Sequence, residues 1–154
     1  MESLDKSIGM YMSSVNRKLL RFLSLNLKMY NITTEQWSVL LHLLEKDGIN
    51  QKQLSKEVDK DQATLVRILD ILEEKKLVVR QKCIEDRRSF LIHSTEKGKN
   101  LTNQIYPCIE DLFSKIINDI PENQLNLFID TLNLIEKNIN LEEEKISWKK
   151  LQKN

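Results

Sequence analysis

Between Asn50 and His93 the chain changes its pattern in an order that few folds accommodate. A short apolar-periodic stretch, QKQLSKEV, is followed by a break at Asp59 and Lys60 and then by a longer periodic stretch, QATLVRILDILEEKK. The first predicts a helix from Gln51 to Val58 with Asn50 as its cap and Gln53 at the capping-box spacing, burying only Leu54 and Val58. The second predicts a helix capped by Asp61, with Leu65, Ile68, Leu69 and Leu72 on one buried face and Ala63, Arg67, Asp70 and Glu74 opposite. LVVRQKC and RSFLIHS, rich in β-branched and aromatic residues, then enclose the charged turn IEDR and predict a two-stranded hairpin. A lone hairpin is marginal in water, so this one must lean on the helices before it.

The rest reads as helix, because three glycines and two prolines leave little to interrupt it, and the fold class is mainly α. From Leu4 to about Met29, Ile8, Tyr11, Val15, Leu19 and Phe22 recur at three and four, widened by Met12, Leu20, Leu23 and Leu27 into a stripe broader than a lone surface helix needs. A second helix runs from about Thr34 to Lys46, opened by a Thr33–Gln36 capping box and closed by Gly48 as a left-handed cap. Ser94 or Thr95 caps a later helix that ends near Asp119 and is bent at Pro107. Pro121 opens the last helix, through Leu125, Phe128, Leu132, Ile135 and Ile139, and residues 141–154 are a frayed tail or a short extra helix.

Several function classes fail for lack of parts. His42 and His93 are the only histidines, there is no glycine-rich phosphate loop and no metal-ligand spacing, so neither an enzyme nor a metal or cofactor site is expected; His42, in an apolar helix, reads as a packed core residue. Cys83 and Cys108, far apart, predict reduced thiols rather than a disulfide framework or zinc site. No signal peptide or membrane span is indicated, which predicts a cytoplasmic protein. The net charge of +1 hides an asymmetry: residues 1–49 carry six basic and five acidic side chains, residues 50–100 twelve and nine, and residues 101–154 six and nine. The basic third coincides with the two short helices and the hairpin.

That order of elements is a winged helix-turn-helix, whose second helix enters the major groove of double-stranded DNA while the hairpin reaches alongside. On the second helix, spanning residues 61–75, Gln62, Ala63, Thr64, Val66 and Arg67 lie on or beside the outward face near the N-terminus. Gln62 has the amide geometry for adenine, Ala63, Val66 and the Thr64 methyl suit thymine methyls, and Arg67 can read guanine or grip a phosphate. The hairpin, residues 78–93, carries Arg87 and Arg88 at its tip, where the narrow minor groove draws arginine, with Asp86 placed to orient one of them.

Three stretches carry a resemblance: ITTEQWSVLLHL, QKQLSKEVDKDQATLVRILDILEEKKLVVR and DRRSFLIHSTEKG, over roughly residues 32–98. They resemble the multiple-antibiotic-resistance regulator (MarR) family of bacterial winged-helix transcription factors, and the spacing of Asp86, Arg88 and Thr95–Gly98 is the most specific part. The resemblance implies a single MarR-like unit over residues 1–154, with a DNA-binding lobe at 32–98 and a helical dimerisation region from 1–30 and 99–140. It further implies a homodimer on a pseudo-palindromic operator, acting as a repressor, with Arg88 in the minor groove, Asp86 orienting it, and Gln51 and Lys52 on phosphates. Relatives bind small aromatic or amphipathic effectors in a cleft, for which Tyr11, Arg17, Arg21, Trp37 and His42 are the candidates here. Two departures stand out: Lys76 replaces the family's usual glycine, and His93–Ser94–Thr95 replaces the usual leucine before the threonine. The competing reading is a winged-helix protein-interaction module or anti-regulator that does not itself bind DNA.

Overall fold

A computed structural model describes residues 4–83 and 89–151, so Asp86, Arg87 and Arg88 lie outside the described residues. In chain order the elements are α1 (Leu4–Leu27), a 3-10 turn (Lys28–Tyr30), α2 (Thr34–Glu45), β1 (Ile49–Asn50), α3 (Gln51–Glu57), α4 (Gln62–Glu74), β2 (Val78–Lys82), β3 (Phe90–Ser94), α5 (Glu96–Ile116) and α6 (Glu122–Leu151). They form two compact units, residues 1–111 and 112–154. The first unit gathers α1, the two short helices, the sheet and most of α5, and the second holds the end of α5 and α6.

The helix starts follow from side chains that satisfy otherwise orphaned amides. Thr33 and Gln36 form the expected reciprocal capping box of α2, at 3.2 and 3.3 Å. Asp61 caps α4 through the Thr64 amide, and Thr95 caps α5 by accepting from the Gly98 amide at 3.0 Å. Ser94 is instead the last residue of β3. Asn50 caps α3 through Lys52, but Gln53 does not reciprocate; its amide donates to Glu57 at 2.7 Å, one turn on.

Gly48 is left-handed, with φ 74°, yet it is not the cap of α2, which ends at Glu45 with Lys46 as its cap. Its amide donates to Ile92 O at 3.0 Å and opens β1, a strand too short to leave an alternating pattern in the sequence. The expected two-stranded hairpin is therefore a three-stranded antiparallel sheet in the order β1–β3–β2. The third strand gives the hairpin a tether to the helices on the side away from β2.

Lys76 does adopt the left-handed cap after α4, with φ 61°. Its amide bonds Glu73 O and the next amide, Leu77, bonds Leu72 O, which is the hydrogen-bond pattern of a Schellman ending. The Thr95 hydroxyl donates to Lys76 O at 2.8 Å and Lys97 Nζ to Lys75 O at 2.8 Å, so the turn is held from α5 although its residue is unfavourable. Close by, a Cβ on Gly98 would overlap the Leu77 carbonyl oxygen, which makes glycine a requirement of this joint.

The core of the first unit is built from Leu27, Trp37, Leu40, Leu43, Leu54, Leu65, Leu69, Leu72, Val78, Ile92 and Ile105, so every element of the lobe contributes. Trp37 is thereby a core residue and not a lining residue of an open cleft. Pro107 stands inside α5, which continues to Ile116 and stops short of Asp119, itself left-handed in the following turn. In the second unit, residues 141–151 continue α6 without a break, in place of a frayed tail or a separate short helix. No helix among the described residues is long and apolar enough to cross a membrane.

Candidate nucleic-acid interface

α4 presents two chemically different sides. Leu65, Ile68, Leu69 and Leu72 are buried, as their spacing requires, while Gln62, Ala63, Val66, Arg67 and Asp70 are exposed. The exposed set clusters toward the N-terminal half, where the unpaired amides and the helix dipole favour phosphate.

The first turn is held by its own polar groups. Thr64 donates its hydroxyl to Asp61 at 2.6 Å and its amide at 2.8 Å, and these two contacts, the hydroxyl first, hold the Asp61 carboxyl below the ordinary aspartate pKa. The Thr64 hydroxyl is thus engaged within the helix, which leaves its methyl for any apolar contact. Gln62 donates to Ser55 Oγ, and the buried Ser55 in turn donates to Lys52 O at 2.9 Å. One Gln62 donor is therefore engaged in tying α4 to α3, and its carbonyl oxygen with the second donor remains for a base edge.

α3 brings Lys52 to the surface beside this turn, with Gln51 half-buried at the helix start. Asp59 adopts φ 49° between the helices, and the Asp59 and Lys60 amides bond back to Lys56 O and Ser55 O, closing the turn in two residues. On the other side of α3, Glu57 lies 3.2 Å from His42 Nε2 and 3.7 Å from Lys46 Nζ. His42 is thus a half-exposed tie between α2 and α3 and not the packed core residue its apolar neighbours implied.

The side chain that sequence reasoning overlooked is Arg80. Its guanidinium reaches from β2 to α4, with Nη1 2.7 Å from Asp70 Oδ1 and 2.6 Å from Glu73 Oε2, and Nη2 3.0 Å from Val66 O. Its backbone amide also donates to Glu73 Oε1 at 2.9 Å. β2 is an edge strand, and the Glu73 carboxylate satisfies an edge amide that would otherwise face solvent. Two acids three residues apart on a helix, followed by an arginine in the next strand, were the available signal.

The candidate effector residues are not gathered at one place on this chain's described surface. Tyr11 and Arg21 are exposed on α1, Arg17 donates to Ser13 one turn back at 2.7 Å, Trp37 is buried, and His42 is held by Glu57. A cleft of about 400 Å³ is lined instead by Ser24, Leu25, Lys28, Asn31, Ile32, Thr33 and Lys75. Lys75 Nζ there donates to Asn31 O and to the capping-box oxygen of Gln36.

A short capped helix, a closed turn, a second helix with a polar outer face, and a three-stranded wing clamped to it define a winged helix-turn-helix protein. Residues 32–90 match the model of the MarR family. Among solved structures, the chain is similar to a MarR-family transcriptional regulator from Rhodococcus sp. RHA1, with 29% identity over 88% of this chain and 96% of that one and a TM-score of 0.78. It is similar to CouR from Rhodococcus jostii RHA1, solved bound to p-coumaroyl-CoA, with 28% identity over 88% and 95% and a TM-score of 0.76. It shares its fold with MepR of S. aureus, solved with DNA, at 20% identity over 84% and 96% and a TM-score of 0.79. Residues 32–90 thus match the MarR family model, and the chain as a whole is similar in fold to winged-helix transcriptional regulators of that family.

Proposed function

We propose that the protein is a homodimeric, sequence-specific DNA-binding repressor that places α4 of each protomer in successive major grooves of a pseudo-palindromic operator. The wing of residues 78–93 then lies along the minor groove, with Arg88 inserted, Asp86 orienting it and Arg87 on the backbone. The observation that carries this reading is the outer face of α4, where Gln62, Ala63, Val66 and Arg67 stand exposed while the opposite face is wholly buried. Gln51 and Lys52 supply phosphate contacts from α3.

Dimerisation is supported by the apolar side chains that a single chain leaves in water: Tyr11, Val15 and Phe22 on α1, and Leu127, Phe128 and Ile139 on α6. A small amphipathic effector relieves repression in this reading, in keeping with CouR bound to p-coumaroyl-CoA.

The test is selection of random duplexes by the purified protein, followed by salt titration on the enriched sequence. An inverted repeat with half-sites about 10 bp apart, centre to centre, and affinity that falls steeply with salt are expected. Arg88→Glu should abolish binding with the dimer and its melting temperature unchanged. A dimer that enriches no duplex, with or without added acyl-CoA thioesters, would favour the protein-interaction reading instead.

A further inference from the structure

Asp70 is an acidic side chain on the face of α4 that this reading turns toward a polyanion, and it lies three residues beyond Arg67. At that spacing an aspartate and an arginine are neighbours on a helix surface and pair readily. An Arg67–Asp70 pair would cancel the positive charge of α4 that is best placed for DNA and would hold the guanidinium against the helix. In the structure the pair does not form: Asp70 Oδ1 is taken by Arg80 Nη1 at 2.7 Å, and among the described residues Arg67 has no ion pair.

Arg80 is built for this task. It is 16% exposed at the side chain, against 57% for Asp70, so the carboxylate is drawn toward the better-buried cation at the root of the wing. The guanidinium cannot swing away to release it, because Glu73 and the Val66 carbonyl hold it from two further directions. Glu73 is fixed in turn by the Arg80 amide. Both carboxylates are thereby engaged by the one guanidinium within the lobe, and Arg67 is left as the unpaired cation among the described residues of the exposed α4 face.

We infer that Arg80 is a positioning residue for DNA recognition: by sequestering Asp70 it keeps Arg67 available to the nucleic acid. The inference rests on the DNA-binding reading above, and it assigns to β2 a residue that governs major-groove contact without touching DNA.

The test compares the parent protein, Arg80→Met, Arg80→Lys and Arg80→Met/Asp70→Asn on the selected duplex over a range of salt, with melting temperatures alongside. Arg80→Met should bind roughly tenfold more weakly, and its log–log salt slope should fall by about 1, the signature of one lost phosphate or base cation. Adding Asp70→Asn should recover most of the affinity and the slope, since no carboxylate remains to capture Arg67. Arg80→Lys, which keeps a cation beside Asp70, should bind nearly as the parent. A purely structural role for Arg80 would lower the melting temperature but leave the slope unchanged, and the second substitution would restore nothing; that result overturns the inference. A structure of Arg80→Met supplies a reading without DNA, with Asp70 within about 4 Å of Arg67 expected and a separated pair counting against it. Failure of the parent itself to bind DNA overturns the functional reading and this inference together, whereas failure confined to the double variant overturns the inference alone.

Discussion

α4 and α6 share a sequence rule and differ in what it achieves. Both carry apolar residues at intervals of three and four, yet in α4 Leu65, Ile68, Leu69 and Leu72 are all at most 5% exposed, whereas on the α6 stripe Phe128 and Ile139 are 58% and 53% exposed and Leu125, Leu132 and Ile135 are only half-buried. Periodicity therefore specifies a face but not its partner. α4 finds its partner in the same chain, through α2, α3 and the sheet; α6, like much of α1, keeps an apolar surface that a second copy would cover.

The largest effects should come from exchanging leucines between these two settings. Leu69→Ala removes a fully buried side chain and should destabilise the lobe by about 2–5 kcal/mol in a denaturant titration. Leu127→Asp should leave the helical circular dichroism of the chain intact and shift its mass in sedimentation from dimer toward monomer. A Leu127→Asp protein that stays dimeric would remove this part of α6 from the interface.

Glycines sharpen the same contrast. Gly98→Ala places a methyl group against the Leu77 carbonyl and should cost about 1–3 kcal/mol, as overpacking does. Gly9→Ala, in α1 with no atom near the added Cβ, should instead stabilise the chain by about 0.5–1 kcal/mol. If Gly9→Ala proves destabilising in the dimer, the partner subunit packs at that position.

Smaller again is Lys76→Gly, which relieves a left-handed lysine at φ 61° and should raise stability by about 1 kcal/mol without altering DNA affinity. The least effect belongs to the α4 cap. Because Thr64 lowers the folded-state pKa of Asp61, the carboxylate stabilises the folded state fully above the unfolded aspartate value and loses that contribution as pH falls through the folded one. The melting temperature of Asp61→Ala should therefore lie below the parent at neutral pH, and the gap should close on acidification below the ordinary carboxylate range.

The residues that carried the reading from sequence are those whose consequences are local. Thr33 with Gln36, Asp61 with Thr64 and Thr95 with Gly98 act within one helical turn, and the buried face of α4 follows from a repeat over four side chains. Lys76 was legible only through the resemblance, which puts a glycine at this helix ending, and its φ of 61° keeps the left-handed conformation with a lysine in place. Where local patterns were ambiguous, reading failed: Gln53 sat at the capping-box spacing but bonded Glu57, and Gly48 was left-handed for the sake of β1 and not of α2.

What only the tertiary structure decided depends on groups brought together from separate elements. The pairing of β1 with β3 joins Ile49 to Ile92 across most of the lobe, and two residues of strand leave no periodicity to detect. Trp37 lies in the core and His42 beside Glu57 of α3, and the Gln62–Ser55 contact ties α4 to α3, placements that only the packing of separate helices decides. The Arg80 clamp is the clearest case. Composition supplied an arginine and two acids, but whether Asp70 pairs with Arg67 on its own helix or with Arg80 on the next strand is a competition between two geometries. The fold settled it by placing the strand's guanidinium between two carboxylates and a carbonyl, a set of contacts no single helix surface can offer.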